Sequence, residues 1–304
     1  MKTALECLPC YLRQALQVAG ISTDDVALQL QTMRKVAELT IAMDMERTPP
    51  ENSVAVYRAI AEITGCADPY LALKQASNEQ AIALLPQCRD IMTTSDNSLA
   101  TALRFAIGGN IIDYGATYSF DVEQAMVRCL RVEYAVDNSA DFLERLETMT
   151  EGDRILYLAD NSGEIVYDLL VVKELADRGF LVTVAVKSGA IINDALFADA
   201  VACGMDQYAT ILENGTSCPG TPLESCSDEL ARTFQRADLI ISKGQGNFET
   251  LSEVDAEIFF LLTVKCSVVG AHLAKISKTA KTELPGNGEL VFYHYNGNSD
   301  GKTH

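Results

Sequence analysis

The residues best suited to chemistry lie in residues 154–164, where an apolar segment ends in Asp160, Asn161 and, three positions later, Glu164. Such a segment is typical of a parallel strand covered on both faces, and ligands of open α/β sheets bind beyond the carboxyl ends of these strands. Free backbone N–H groups at the start of the following helix attract anions. Carboxylate and amide oxygens beside an anion site indicate a hard divalent cation that joins the two. An Asp/Asn helix cap without any ligand is the alternative interpretation.

Polar residues also follow the other predicted strands. They are Lys187 and Asp194 after residues 181–186, Lys243 after residues 238–242, and Lys265 after residues 258–264. Because the carboxyl ends of parallel strands lie along one edge of a sheet, we expect these side chains to converge with Asp160 and Asn161. Lysines and loop N–H groups bind phosphate oxygens, and a cation neutralises part of the phosphate charge. The pattern therefore predicts a site for a small phosphorylated metabolite.

The elements that must position these residues change in character near residue 150. Helical apolar spacing covers residues 24–45, 52–64, 72–92, 122–134, 140–149 and 164–178. Short β-branched segments cover residues 154–159, 181–186, 208–212, 238–242 and 258–264, with a late strand near residues 290–295. Strands that alternate with helices indicate βαβ units and a mostly parallel sheet with helices on both faces. We therefore expect a helical domain over residues 1–150 and an α/β domain over residues 151–304.

Composition limits the class of protein. The chain has 304 residues, 48% of them hydrophobic, and a net charge of -18, which argues against a nucleic-acid partner because such binding needs a basic surface. The first residues carry no apolar signal core, and no segment has the roughly 18 uncharged apolar residues of a membrane span. Nine cysteines fit reduced intracellular thiols better than a disulfide framework. We expect a cytoplasmic protein without membrane contact.

Three enzyme classes fail on the details of their motifs. The segment that begins at Gly244 has the start of a dinucleotide fingerprint, but Glu249 replaces its third glycine. A haloacid-dehalogenase-type phosphatase needs a second Asp two residues after its nucleophile, and Ser162 occupies that position after Asp160. The chain also lacks the glycine-rich phosphate loop of nucleoside triphosphatases.

Two further motifs are weaker. Asn110 and Asp113 lie between glycines in residues 109–115, and we expect a loop that closes the site and contacts the substrate; a helix C-cap and turn is the alternative. Cys7 and Cys10 form a lone Cys-x-x-Cys pair, which is more often inert than metal-binding. With Cys218 and Cys226 the pair could complete a four-thiolate zinc site.

Taken together, the motifs resemble those of the damage-control phosphatases, formerly the domain of unknown function 89. The matching segments are Cys7-x-x-Cys10, residues 68–70 with Ser77 and Asn78, residues 109–115, residues 160–164, Asn193-Asp194 and residues 243–249. The resemblance implies a helical N-terminal domain attached to a Rossmann-like, three-layer α/β/α domain. The cysteine pair implies the microbial-type branch, and the absence of the arginine-containing motif of the eukaryotic branch argues against a hexose-phosphate preference.

The resemblance also implies a divalent metal held by Asp160, Asn161 and Asp194, and hydrolysis of phosphate esters of small metabolites. The implied substrate contacts are Glu164, Lys243, Gly244, Gln245, Gly246, Asn247 and Lys265. An all-oxygen ligand set favours Mn²⁺, Co²⁺, Ni²⁺ or Mg²⁺. The sequence leaves open whether a water molecule or the Asp160 carboxylate attacks phosphorus. Two other functions also stay open: an S-adenosylmethionine-dependent carboxyl methyltransferase and a non-catalytic protein that binds a metal or metabolite.

Overall fold

The three N-terminal helices form a bundle with its own core. In the computed structural model, which describes residues 1–116, 129–278 and 284–297, they are α1 (Cys7–Ser22), α2 (Val26–Ile41) and α3 (Pro49–Thr64). Their core residues are Tyr11, Ala15, Val18, Val36, Val56 and Ile60. Helix α3 begins at a capping box in which Thr48 and Glu51 satisfy each other's backbone N–H groups. The sequence predicted α2 and α3 but not α1, whose first turn contains Pro9, a position at which proline is tolerated.

Two long helices follow, α4 (Leu71–Thr93) and α5 (Ser98–Ala116). The prediction of a loop over residues 109–115 is wrong, because the backbone there continues α5. Gly109 serves close packing rather than a turn, since a Cβ at this position would lie 3.0 Å from Tyr167 Cδ2 and 3.2 Å from Glu164 Cγ. The side chains of Asn110 and Asp113 lie outside the described residues, as does most of the helix predicted for residues 122–134.

A seven-stranded sheet forms the centre of the rest of the chain. Its strands are β1 (Val136–Asp137), β2 (Arg154–Leu158), β3 (Leu181–Val186), β4 (Thr210–Glu213), β5 (Leu239–Lys243), β6 (Glu257–Val264) and β7 (Glu289–Asn296). The order across the sheet is β1-β7-β6-β5-β2-β3-β4. Strands β2 to β6 are mutually parallel, β7 is antiparallel to β6, and β1 is parallel to β7. The mostly parallel sheet is confirmed, and only the two-residue strand β1 was not predicted.

Helices cover both faces of the sheet, which confirms the three-layer α/β/α fold. These helices include α6 (Ser139–Glu147), α7 (Glu164–Asp177), α8 (Phe197–Ala202), α9 (Asp228–Arg236), α10 (Gln245–Leu251) and α11 (Ser267–Ser277). Ile155 and Tyr157 of β2 pack in one core with α4 to α8, and Leu156 and Leu158 pack in a second core with α9 to α11. The alternation follows from the period of two along a strand.

The first of these cores crosses residue 150, because it contains Leu85 and Phe105 as well as the sheet residues Ile155 and Ile241. The division into domains at residue 150 therefore follows the change in secondary structure and remains a prediction. All nine cysteines lie within the described ranges, and no disulfide joins any two of them. Of the helices in these ranges, none combines the length and apolar character needed to cross a membrane.

Candidate active site

The candidate site lies where the strand order reverses. From β2 the chain passes through α7 to β3 on one side, whereas β5 lies on the other side of β2. In open α/β sheets ligands bind at this kind of switch point. Asp160 follows β2 and Gly244 follows β5, so the two meet there. Gly244 has φ +78°, and a Cβ at this position would lie 2.0 Å from Asp160 Oδ2, so that only glycine leaves room for the carboxylate.

Backbone pairing brings the predicted metal ligands together. The Asp160 carbonyl accepts a hydrogen bond from the Ala195 N–H (2.8 Å), and Ser162 N–H donates to the Asn193 carbonyl (2.8 Å). Asn161 and Asp194 are paired in an isolated antiparallel β-bridge, which joins the loop after β2 to the loop after β3. The side chains of Asp160, Asn161 and Asp194 are thus buried next to one another, although they come from different loops.

The unsatisfied Oδ2 atom of Asp194 suits a cation. Among the described residues this buried oxygen has no hydrogen-bond partner, and Lys187 Nζ lies 3.7 Å away. Buried carboxylate oxygens normally have a partner, so the residues present fit a hard divalent cation. Within the described part of the chain, no three His, Cys, Asp or Glu side chains form a metal centre. A cation held here would therefore depend on the Asn161 amide and on water or substrate oxygens as well, which is common for Mg²⁺.

The structure does not form the zinc site that the sequence had left open. Cys7, Cys10, Cys218 and Cys226 are all described, and they do not form a cluster that could hold a metal. Burial raises the pKa of the Cys7 and Cys10 thiols, which keeps them protonated. Thiols of this kind are unreactive.

Burial also raises the pKa of both acidic candidates. The pKa of Asp160 rises to about 6, chiefly through burial and then through the nearby Glu164 carboxylate. The pKa of Asp194 rises to about 8, again chiefly through burial; Lys187 opposes the rise and Asp160 adds to it. A bound divalent cation would favour the ionised form of both groups, since an opposite charge lowers the pKa of a carboxyl group.

The three predicted lysines lie in different environments. Lys187 is buried, and its Nζ donates to the Gly220 carbonyl (2.7 Å). Lys265 is exposed to solvent. Its positive charge nevertheless lowers the pKa of Asp160 and of Asp194. Phosphate contacts from Lys187 and Lys265 stay a prediction.

Lys243 is fully buried, and its three ammonium donors are all in use. They contact the Ala106 carbonyl (2.8 Å), Glu164 Oε1 (2.5 Å) and Asp168 Oδ1 (2.6 Å). Burial lowers the pKa of Lys243, but the two carboxylates outweigh it and raise the pKa overall. The predicted phosphate contact from Lys243 has no support in this geometry, because an ammonium group has only three donors. Lys243 instead positions Glu164.

The other members of this buried network were missed by the sequence analysis. Tyr157 Oη donates to Asp168 Oδ1 (2.7 Å), and burial raises the pKa of Asp168 to about 6. Glu164 also accepts a hydrogen bond from the Asn161 amide at Oε2 (3.2 Å), which links the network to the candidate metal ligands. The available signal was that Glu164 and Asp168 lie four residues apart in the apolar first half of the helix, and therefore share one face.

Asn78 belongs to a segment that matched the family, but no role in the site was predicted for it from the sequence. Its Oδ1 accepts a hydrogen bond from the Gly163 N–H (2.6 Å), and its Nδ2 donates to Asp199 Oδ1 (2.7 Å). Asp199 in turn accepts from the Leu196 N–H (2.8 Å). Asn78 thus joins α4 to the start of α7 and to the first turn of α8, and it fixes the turn that follows Asp160 and Asn161.

Hydrogen bonds and close packing of residues 245–247 fix the connection between β5 and α10. Asn247 is buried and donates to the carbonyls of Ala159 (3.1 Å) and Lys243 (2.9 Å). A Cβ at Gly246 would lie 1.7 Å from the Pro219 carbonyl oxygen. Gln245 accepts from the Lys265 N–H (2.9 Å) and so ties the two loops together. Substrate contacts from Gln245, Gly246 and Asn247 stay a prediction.

Known proteins of one family match this chain over almost its whole length. The family described as the damage-control phosphatase ARMT1-like domain matches residues 3–279. A damage-control phosphatase from Pyrococcus horikoshii is 32% identical over 285 residues, covering 92% of this chain and 96% of that protein. A damage-control phosphatase from Archaeoglobus fulgidus is 33% identical over 278 residues, covering 90% of this chain and 96% of that protein. The crystal structure of a DUF89 family protein from Pyrococcus horikoshii superimposes with a TM-score of 0.85 and 29% identity, covering 97% and 99% of the two chains.

Proposed function

The chain belongs to the damage-control phosphatase family with the ARMT1-like domain, and we propose that it hydrolyses phosphate monoesters of small metabolites with the help of a divalent cation. The observation that carries the proposal is the buried Asp194 Oδ2 beside Asp160 at the switch point of the sheet; this oxygen accepts no hydrogen bond from the described residues and has Lys187 Nζ 3.7 Å away. The cysteine pair supports a place in the microbial-type branch. The relatives are named phosphatases, so the alternative of a carboxyl methyltransferase is not favoured.

In this proposal Asp160, Asn161 and Asp194 hold the cation. The cation would be Mn²⁺, Co²⁺, Ni²⁺ or Mg²⁺, and it would neutralise part of the phosphate charge and orient the phosphoryl group. Lys187 and Lys265 supply donors to the remaining phosphate oxygens. Gly244 and the Asn161 amide fix the orientation of the Asp160 carboxylate, because one packs against it and the other donates to Oδ2 (2.7 Å).

Hydrolysis breaks the bond between phosphorus and the ester oxygen and forms a bond between phosphorus and a water oxygen. In one route water attacks directly and Asp160 acts only as a ligand. In the other route Asp160 attacks first, and water then hydrolyses the phospho-aspartyl group. Recovery of labelled phosphate on a peptide that contains Asp160, after acid quench, would distinguish the second route from the first.

The experiment that tests the function measures phosphate release from a panel of phosphomonoesters with each metal and with excess chelator. Asp160→Ala and Asp194→Ala are the test variants, and Asp177→Ala, on the exposed end of α7, is the control. Disturbing partners around a metal typically costs about 10- to 100-fold in affinity or activity, so each test variant should lose at least that much. Full activity of the wild-type protein in excess chelator would reject the metal-dependent mechanism.

A further inference from the structure

A cavity of about 190 Å³ lies beside the candidate site, between α3, residues 67–70 and the loop after β3. Its wall is largely apolar and aromatic and includes Val54, Tyr57, Ala61, Tyr70, Ile191 and Ile192. Two lining residues are charged. Asp68 is neutralised by the buried Lys74, whose Nζ lies 2.6 Å from Asp68 Oδ2, and Arg58 is exposed. Apart from Arg58 and Ser217, the lining therefore offers mainly van der Waals contact.

The cavity and the candidate site share a wall. Ile191 and Ile192 line the cavity, and the Asp194 N–H donates to the Ile191 carbonyl (3.1 Å) within the same turn. A molecule whose phosphate group reached Asp194 would have this cavity next to it.

The backbone at Ile192 supports a role for this wall in binding. Ile192 has φ +46°, in the left-handed region that β-branched residues rarely adopt. Backbone strain of this kind persists where the surrounding structure imposes it, and it is concentrated at active sites and ligand clamps. The strained residue, Ile192, is bulky and apolar, and it lies in the cavity wall two positions before Asp194.

We propose that the cavity binds the leaving group of the phosphomonoester, and that it selects an apolar group about the size of one six-membered ring. This inference rests on the proposed phosphatase function. An apolar cavity of about 150 Å³ is large enough for benzene, so the volume suits one ring. A sugar of the same size would bury hydroxyl groups against aliphatic side chains, which is unfavourable without partners. The Tyr57 hydroxyl is already used, because it donates to Gln14 Oε1 (2.9 Å).

The test compares cyclohexylmethyl phosphate with glucose 6-phosphate in the presence of Mn²⁺. Both are esters of a primary alcohol next to a six-membered ring, and they differ mainly in their hydroxyl groups. We expect kcat/KM to be at least ~10-fold higher for the cyclohexylmethyl ester, because sugar hydroxyl groups that are buried without hydrogen-bond partners lose binding free energy. Equal values, or a preference for the sugar phosphate, would overturn the proposed selectivity and leave the phosphatase function standing.

Calorimetry with the two corresponding non-hydrolysable phosphonates separates the two proposals. Tighter binding of the cyclohexyl phosphonate supports the leaving-group site even if neither ester is hydrolysed, an outcome that would reject the phosphatase function alone. Equal binding of the two phosphonates would count against the site whatever the catalytic result.

A matched pair of variants locates the effect. Ala61→Phe fills the cavity from α3, whereas Ala55→Phe places the same side chain on the exposed face of that helix. We expect Ala61→Phe to lower kcat/KM for the cyclohexylmethyl ester at least ~10-fold relative to Ala55→Phe, with an unchanged inhibition constant for inorganic phosphate. If circular dichroism shows that Ala61→Phe does not fold, Ala67→Phe, at an exposed position of the lining, replaces it. Identical kinetics in the test and control variants would contradict the assignment.

Discussion

The backbone of Gly244 lies directly against the carboxylate of Asp160, so that a Cβ on Gly244 would come within 2.0 Å of Oδ2 and 2.1 Å of Cγ. These residues follow neighbouring parallel strands, β5 and β2, on the two sides of the point where the strand order reverses. The position of the Asp160 side chain therefore depends on a glycine more than 80 residues away in the sequence.

The first prediction is that Gly244→Ala abolishes metal binding. The added methyl group must displace the Asp160 carboxylate, and φ +78° with ψ 165° is a conformation that only glycine adopts readily. Gly65→Ala is the control, since Gly65 also has a positive φ (69°) but has no atom within 4 Å of a Cβ. Both variants should lose stability, and only Gly244→Ala should fail to bind Mn²⁺ in a calorimetric titration. Normal Mn²⁺ affinity in Gly244→Ala would contradict the geometry described for Asp160.

The second prediction is that Lys243→Met destabilises the fold strongly. The change leaves the buried carboxylates Glu164 and Asp168 without their shared cation, and breaking a buried ion pair costs about 3–5 kcal/mol. Lys173→Met removes an exposed pair with Asp177 on the same helix and should cost about 0–1 kcal/mol. Urea unfolding of both variants measures the difference. Similar unfolding midpoints would show that the Lys243 network does not stabilise the protein.

The third prediction concerns pH and the metal-free protein. Asp194 has a folded-state pKa of about 8 against an ordinary value of 3.8, so between these values the folded protein retains a proton that the unfolded chain has lost. The resulting stabilisation is complete below about pH 4 and is lost as the pH rises through about 8. Asp160 and Glu249, with pKa values raised to about 6 and about 7, act in the same direction.

In excess chelator the melting temperature should therefore fall from pH 5 to pH 8. Asp194→Asn should make this fall shallower, because asparagine has no carboxyl group to ionise. Added Mn²⁺ should have the same effect, because the cation stabilises the ionised carboxylate of the folded protein. Thermal unfolding followed by circular dichroism across this range is the measurement. The same slope in wild-type protein and Asp194→Asn would show that this carboxyl group does not titrate as described.

The fourth prediction is that Asn78→Ala lowers Mn²⁺ affinity about 10- to 100-fold, as is typical when residues behind metal ligands are removed. The change frees the Gly163 N–H and loosens the turn after Asn161. Asn52→Ala is the control, because Asn52 is also buried and hydrogen-bonded but lies in the N-terminal bundle, where it donates to Thr3 Oγ1 (2.8 Å) and the Asp44 carbonyl (2.8 Å). Both variants, Asn78→Ala and Asn52→Ala, should have a lower melting temperature than the wild-type protein. Equal Mn²⁺ affinity in the two variants would exclude Asn78 from the support of the site.

Much of the sheet could be predicted from the sequence, because fully buried parallel strands are continuous apolar segments with abrupt polar ends. The predicted strand over residues 181–186 has the observed bounds, and the others differ by at most two residues at each end. The same rule placed Asp160, Asn161, Lys187 and Lys265 along one edge, where the structure has them.

The environment of each charged side chain could not be predicted, because it depends on elements far away in the sequence. Lys243 was expected to face a phosphate group, but the Ala106 carbonyl from α5 and two carboxylates from α7 take its donors. Helix α5 was not predicted, and its second half was taken for a loop because glycine usually indicates a turn; nothing local shows that Gly109 instead provides close contact with Tyr167.

The core that joins α4 and α5 to the sheet also constrains how the chain can fold during its synthesis. Leu85 and Phe105 leave the ribosome before β2 and β5, whose residues Ile155 and Ile241 share their core. The bundle of α1 to α3 can close as soon as its last helix is made, since its core contains no later residue. Apolar surfaces of α4 and α5 must instead remain uncovered until β2 and α7 are made; α7 ends at Asp177, 61 residues after Ala116. At about 5–20 residues per second this leaves several seconds in which chaperones can bind them.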